Sequence, residues 1–420
     1  MPRVIVTLGS DISVASMTEV SGPLKRVRRG NRLPLIKGYA VTLSDEDIAK
    51  LRRAGLDVQP DEEVGIPPFP QVPVRPAGGG YPTEELDPDL PGTMQQMIEC
   101  EVEEAHGLGF MGEGIRVGIA DTGVDANHPD LAGKLFSFKD FTGGLDEPAD
   151  LHGHGTACAG MVVGTGAVVS KFRGVAPAAT YSMAQVMAEN GYGYSSWIIK
   201  GLGWLAEQGV DVVSVSLGST NTKYTALSRA LDRLVKDGIV VVVAAGNSGP
   251  GRRIGQPGNA YGAICCAACD WDGQYSDFSS LGPATGVDGI ELVKPDVMAW
   301  GKNVSLLRAA GTSNGTILND HYIAWAGTSF STPFVAGLAA LYLEAQASSG
   351  DYANTDSFKT AIMSSAHDSP LYLANEEGMG AVRIVAAMKH QYKATPPPSP
   401  IPPSGCWVAM AGLGWSVPSL

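Results

Sequence analysis

Two apolar, β-branched runs constrain this chain more than any other feature: residues 210–217 (VDVVSVSL) and 239–245 (IVVVVAA). A strand wet on one face alternates apolar and polar residues, so runs this continuously apolar belong in a sheet covered on both sides. Between them, residues 226–236 set Leu227, Leu231 and Leu234 on one helical face. Strand, helix and strand in that pattern predict an α/β fold, a doubly wound parallel sheet with helices on both faces. Residues 115–120 (IRVGIA) predict a further strand ending at Asp121, preceded by a helix over 94–108.

A second feature is the stretch 326–345, AGTSFSTPFVAGLAALYLEA. From Phe334 to Ala345 it is small or apolar on nearly every face, which predicts a helix running through a core. Pro333 suits the first turn, where its missing N–H has no intrahelical partner. Ser329 then sits at the positive end of a buried helix, where developing negative charge is stabilised. That is a seat for a nucleophile, and equally an ordinary capped core helix until a base and an oxyanion donor are found.

A base is offered by His154, in GHGTACAG at 153–160, with His152 as a competitor two positions away. An imidazole base needs an acceptor for its other ring N–H. Asp121, in IADTGVDANHPDL at 119–131, ends a predicted strand, and α/β sheets place their sites at the carboxyl ends of strands. Asn247, in AAGNSGP at 244–250, also follows a strand, so its amide and the Ser329 N–H could serve an oxyanion. Ser216, Leu217 and Gly218 offer an edge for an extended peptide. Each signal alone has a plain alternative: a turn-forming Asp, a solvated His, a Gly-Asn-Ser-Gly turn.

Jointly, the order Asp121, His154, Asn247, Ser329, with IADTGVD, GHGTACAG and GTSFSTP around the three reactive types, resembles the subtilisin-like serine proteases over residues 94–391. The resemblance implies a subtilisin-like fold and an endopeptidase with Asp121, His154 and Ser329 as triad and Asn247 in the oxyanion hole. It selects His154 over His152, because the family's base directly precedes Gly-Thr. It also implies that Ser216, Leu217, Gly218, Ala245 and Gly246 bind substrate. Residues 1–65 resemble the family's propeptide, a small α+β inhibitor and chaperone. The remaining divisions are a Pro/Gly-rich linker at 66–93 and a Pro-rich linker with a short apolar tail at 392–420. Two rival functions use the same residues: a non-catalytic binding protein on this fold, and an esterase or peptide ligase with the same triad.

Departures from the family are local. Ala157 stands where most relatives have a second histidine. Residues 164–173 lack the Asn-rich segment of relatives with a tight calcium site, and Asp130 alone cannot supply six to eight oxygens. Structural calcium is left unassigned, no cofactor is required for the chemistry, and no metal ligands are proposed. The Cys266–Cys269 spacing has no second pair, and Cys158 reads as a packed thiol. A net charge of −13 argues against nucleic acid as a partner. Residues 1–56 nevertheless hold ten Lys/Arg against five Asp/Glu, so a basic head is expected to attract an acidic body. Protein or peptide substrates and the chain's own head are the expected partners. No stretch is apolar enough to span a bilayer. The resemblance favours secretion, although residues 1–11 do not form a signal-peptide pattern.

Overall fold

The computed structural model describes residues 1–8, 21–27, 30–66, 100–270, 273–350, 355–367 and 372–389. The expected linker from residue 67 and the expected tail lie outside them, as do residues 94–99 of the predicted 94–108 helix. The part of that helix that is described runs Val102–Gly107.

The head contains β1 (Arg3–Thr7), α1 (Ser21–Val27), β2 (Asn31–Leu33), β3 (Gly38–Thr42), α2 (Asp45–Arg53) and β4 (Asp57–Pro60). Its antiparallel sheet has the order β2-β3-β1-β4. Ser44 starts α2 by accepting from the Asp47 N–H at 3.2 Å. The basic run that begins at Lys25 reads in sequence as a loop, but Lys25, Arg26 and Val27 finish α1 and Asn31–Leu33 form β2. Leu24 and Val27, three apart, reach one core with Ile48 and Leu51, while Lys25 and Arg26 stay exposed. Helical spacing thus hides the apolar pair and hydrates the charges. Strand alternation divides β1 likewise. Val4 and Val6 face the head's own core, and Ile5 joins Leu33 and Ala40 against the body.

A short strand, β5 (Glu63–Gly65), ends the head. The body then supplies β6 (Arg116–Asp121), β7 (Leu135–Asp140), α3 (His154–Val163), β8 (Thr180–Gln185), β9 (Tyr192–Tyr194), α4 (Ser195–Glu207), β10 (Val212–Val215), α5 (Ala226–Lys236), β11 (Val240–Ala244), β12 (Ile264–Cys269), β13 (Val297–Trp300) and α6 (Thr328–Ser348). Its seven-stranded sheet has the order β13-β12-β11-β10-β6-β8-β7, with every pairing parallel. Alternate valines serve opposite layers: Val212, Val240 and Val242 pack with α3 and α6, and Val213, Val215, Val241 and Val243 with α4 and α5. Strands after β10 extend the sheet one way and strands after β6 the other. The crevice between the carboxyl ends of β6 and β10 is therefore the topological switch point.

Among the described residues no ion pair joins a cation of the basic stretch 1–56 to a body carboxylate. Arg3 instead lies over the Tyr194 ring at 4.0 Å and donates to Ser196 Oγ at 3.3 Å. The docking contacts that follow come from residues 57–62, just beyond that stretch. An ion pair across the interface joins head Asp57 to body Arg229 at 2.6 Å, the reverse sense. Asp61 accepts from the Ser196 N–H at 2.9 Å and its hydroxyl at 2.8 Å, and the Glu62 carbonyl accepts from the Ser195 N–H at 2.9 Å. Gln59 Oε1 accepts from the Ala226 N–H at 2.9 Å. The head thereby satisfies N–H groups at the starts of α4 and α5, which have no intrahelical acceptors.

Candidate active site

Asp121 ends β6 and is 1% exposed; His154 opens α3 and is fully buried. Asp121 Oδ1 accepts from His154 Nδ1 at 2.7 Å and from the Thr122 N–H at 2.8 Å. Two glycines permit this approach. A side chain on Gly155 would collide with the Gly123 carbonyl, so the start of α3 lies directly on the turn after Asp121. Asp150, 5% exposed, ties the two segments together. Its Oδ1 accepts from Thr122 Oγ1, the His152 N–H and the Gly153 N–H at 2.9, 3.2 and 2.7 Å. Its Oδ2 accepts from the N–H and hydroxyl of Thr156 at 2.8 and 2.7 Å. A carboxylate at the positive end of a helix is favourably placed, and it caps α3 through Gly153 and Thr156, on either side of His154.

Ser329 lies in the first turn of α6 and is also fully buried. Its Oγ donates to the Ser216 carbonyl at 3.4 Å, and Ser216 Oγ donates to the Ser329 carbonyl at 2.8 Å. Cys158 Sγ lies 3.8 Å from His154 Nδ1 and 3.6 Å from the Ser329 carbonyl, so one atom touches both segments. Phe330 and Ser331 beside it are buried, with Ser331 Oγ donating to the Ala299 carbonyl at 2.9 Å. Asn247 is fixed by Thr328, whose N–H and hydroxyl both donate to Asn247 Oδ1 at 2.9 Å. That orientation turns Nδ2 away from Thr328, and Nδ2 is buried with no hydrogen-bond partner among the described residues. A buried donor left open costs free energy, which is the mark of a donor reserved for something else.

Four of the five residues named from the sequence for substrate, all but Ser216, line the cleft beside these groups. A cavity of about 300 Å³ is bounded by Leu217, Gly218, Ala245, Gly246 and Asn247. Within the cleft lies β5. It pairs antiparallel with β9, Val64 opposite Gly193, and on its other side Gly65 pairs with Gly218. Val64 is fully buried, and the Ile66 N–H donates to the Gly191 carbonyl at 3.0 Å. An extended segment of the head is thus a middle strand between two edges of the body.

His152 stands outside this constellation. It stacks on Trp325 at 6.3 Å between ring centroids, and burial first and then the neighbouring His154 hold its pKa below the usual value. Burial, and next the Asp121 charge, push the Cys158 thiol well above its ordinary range, so it stays a thiol. Both Asp130 oxygens accept from protein donors, the Val168 N–H at 2.9 Å and the Tyr322 hydroxyl at 2.7 Å. Asp150 and Thr328 were missed from the sequence. A faint signal existed for Asp150, an Asp just before a helix start.

A parallel α/β sheet carrying a carboxylate, an imidazole and a hydroxyl at its switch point is the architecture of a serine hydrolase. Comparison with known proteins narrows the class. Residues 112–380 match the Subtilase family, and the chain belongs to that family. The serine protease AprX of Bacillus subtilis (strain 168) is 36% identical over 284 residues, covering 60% of this chain and 63% of that protein. Subtilisin E of the same organism is 36% identical over 242 residues, 57% of this chain and 58% of its own length. The chain thus spans less than two thirds of either relative. A similar solved structure, fervidolysin from Fervidobacterium pennivorans, has a TM-score of 0.70 at 22% identity, covering 93% of this chain and 61% of that one.

Proposed function

We propose that the chain is a serine endopeptidase that works through an acyl-enzyme. Ser329 Oγ attacks the carbonyl carbon of the scissile bond and passes its proton to His154 Nε2. His154 returns that proton to the departing amine, and water then repeats the sequence on the ester. The observation that carries this reading is the 2.7 Å contact between His154 and Asp121. A carboxylate can only accept there, so Nδ1 carries the hydrogen and Nε2 keeps its lone pair for the serine. Asn247 Nδ2, with the Ser329 N–H at the start of α6, stabilises the oxyanion. Ser216, Leu217, Gly218, Ala245 and Gly246 hold the substrate backbone and its side chains. Subtilases need no cofactor for this reaction, and calcium stays unassigned.

Residues 1–65 act as an intramolecular inhibitor, a reading supported by β5 filling the cleft as a strand. The linker 66–93, peptidase region 94–391 and tail 392–420 complete the proposed division. A fluorophosphonate probe, which reacts with an activated serine, is expected to label Ser329 once the head has been removed and not to label Ser329→Ala. No labelling of the head-free protein would overturn the assignment. Turnover of casein as well as a simple ester separates an endopeptidase from an esterase.

A further inference from the structure

A glycine of β5 lies beneath an aromatic ring of the body. Gly65 is directly opposite Tyr192 in the pairing of β5 with β9. On its other side it exchanges both backbone hydrogen bonds with Gly218, at 3.1 and 3.0 Å. Directly opposed residues of an antiparallel pair share one face, so a side chain at position 65 would be the cross-strand neighbour of Tyr192. The ring leans into that space. A Cβ added to Gly65 would lie 2.8 Å from Tyr192 Cε1 and 2.9 Å from Cδ1, closer than real Cβ atoms come, and the three atoms nearest it all belong to the ring. The backbone itself does not ask for glycine. Gly65 is extended strand and is not among the glycines held at positive φ. What a side chain would have to displace is Tyr192. Glycine weakens a strand interior, and an aromatic ring packed across the strand on it recovers part of the loss.

The register is fixed by a second residue. Val64 takes the opposite face of the strand, is fully buried, and belongs to one apolar cluster with Met187 and Leu217. Gly193, opposite Val64, must stay bare, because a Cβ there would collide with the Val186 carbonyl. A slip of one residue would put Val64 under the ring and leave Gly65 in the apolar layer. The frame that carries the ring belongs to the body alone. The Tyr192 N–H donates to Asn190 Oδ1 at 3.0 Å, and its carbonyl accepts from the Ala188 N–H at 2.8 Å. Both bonds remain when another chain takes the place of β5. Resting on the reading of Ser329 as nucleophile and of this cleft as its substrate cleft, we propose that Tyr192 is a specificity-determining residue. The cleft prefers extended peptides with glycine opposite Tyr192 and an aliphatic residue one position earlier. The ring is 49% exposed, so it can turn into water for a larger side chain at the loss of its contact. The preference is therefore graded, not absolute.

Two arms separate this from a contact that only seats the head. In the first, full chains carrying Ser329→Ala are compared by hydrogen exchange across residues 63–66 and 217–219. Gly65→Ala is expected to speed exchange there about threefold, within the range of cross-strand pairs, and to have no such effect in the Tyr192→Ala background. In the second, the active protein, freed of its head, digests a peptide library, and the cut sites are read by mass spectrometry. Glycine is expected about threefold above its background frequency at one fixed position before the cut. Tyr192→Phe, which keeps the ring, should preserve that enrichment, and Tyr192→Ala should abolish it. Cut sites without a glycine position, or enrichment that survives Tyr192→Ala, overturn the proposal. So does an equal effect of Gly65→Ala with and without the ring. A library left uncut would instead overturn the assignment of Ser329, while the exchange arm, which needs no catalysis, still decides whether the ring reads position 65.

Discussion

Asp150→Ala is the substitution that most directly tests how the His154 segment is held. Five hydrogen bonds converge on this buried carboxylate, from Thr122 Oγ1, the N–H groups of His152, Gly153 and Thr156, and Thr156 Oγ1. The two hydroxyls can turn to other acceptors, but the three backbone N–H groups cannot. Leaving a buried donor unsatisfied costs roughly 1–3 kcal/mol, and water entering the vacated space recovers part of it. The expected loss of stability is about 3–5 kcal/mol, a large share of the roughly 5–15 kcal/mol typical of a folded protein. Guanidinium unfolding in a Ser329→Ala background, where self-digestion cannot interfere, measures it as a shift in midpoint at unchanged slope. Asp150→Asn keeps one acceptor oxygen and is expected to fall between the alanine variant and the parent. In the active background, labelling of head-free Asp150→Ala by a fluorophosphonate should slow at least tenfold, because the start of α3 carries His154. An alanine variant within about 0.5 kcal/mol of the parent refutes the reasoning, since that is the ordinary scatter of surface changes.

Asn247→Leu removes the Nδ2 donor while nearly keeping volume. The expected fall in kcat is of the order of 10²–10³ with KM little changed, a figure carried over from the corresponding asparagine of subtilisin itself; an unchanged kcat removes Asn247 from the mechanism. Cys158 is fully buried with its thiol held well above the ordinary range. Iodoacetamide should therefore leave it unmodified in native protein at pH 8 and modify it after unfolding, as peptide mass mapping can check. Stability should also fall with acid below about pH 6.5, where an unfolded histidine gains its proton. Burial lowers the folded pKa of His106, His128 and His152, so the unfolded chain binds more protons in that range. Each contributes up to about 1.4 kcal/mol per pH unit until the pH drops through its folded value. Denaturant midpoints that stay flat between pH 7 and 5 would contradict this, and His106→Gln should reduce the slope.

What could be read from the sequence is what local chemistry specifies. The runs at 210–217 and 239–245 became β10 and β11, and the predicted 226–236 helix became α5 with Leu227, Leu231 and Leu234 buried. Asp121, His154, Asn247 and Ser329 stood out because each follows a strand or opens a helix, and the fold gathers such ends at one edge. Asp150 did not stand out, because its partners Thr122 and Thr156 come from two segments that meet only in the folded sheet. The segment 61–66 was opaque to local pattern, though its place at the end of the propeptide-like head was implied by the resemblance. It has no alternation of its own, and Glu63–Gly65 becomes a strand because β9 and Gly218 supply partners on both sides. Lys25 and Arg26 misled for a related reason, since their charge was visible and the apolar pair Leu24 and Val27 needed α2 to give it a surface.

The head also shows why summed charge was the wrong guide to docking. Charges more than about 8 Å apart are largely screened at physiological salt. The net +5 also belongs to residues 1–56, whereas the docking carboxylates Asp57, Asp61 and Glu62 lie just beyond that stretch and were summed with the −18. Short contacts remain, and there the helix starts of the body ask for acceptors, not for cations. Asp61 and Gln59 provide them, and Glu62 adds its side chain to the Asn221 amide at 2.8 Å and to that of Gln256. A substrate crossing the cleft could reproduce the backbone pairing of β5 with β9 and Gly218, because every peptide carries those groups. It could not reproduce the contacts at α4 and α5, which lie outside the cleft and belong to the head alone. On the proposed reading of the head as an inhibitor, the backbone pairing is what makes it resemble a substrate, and the helix contacts are what let it outlast one.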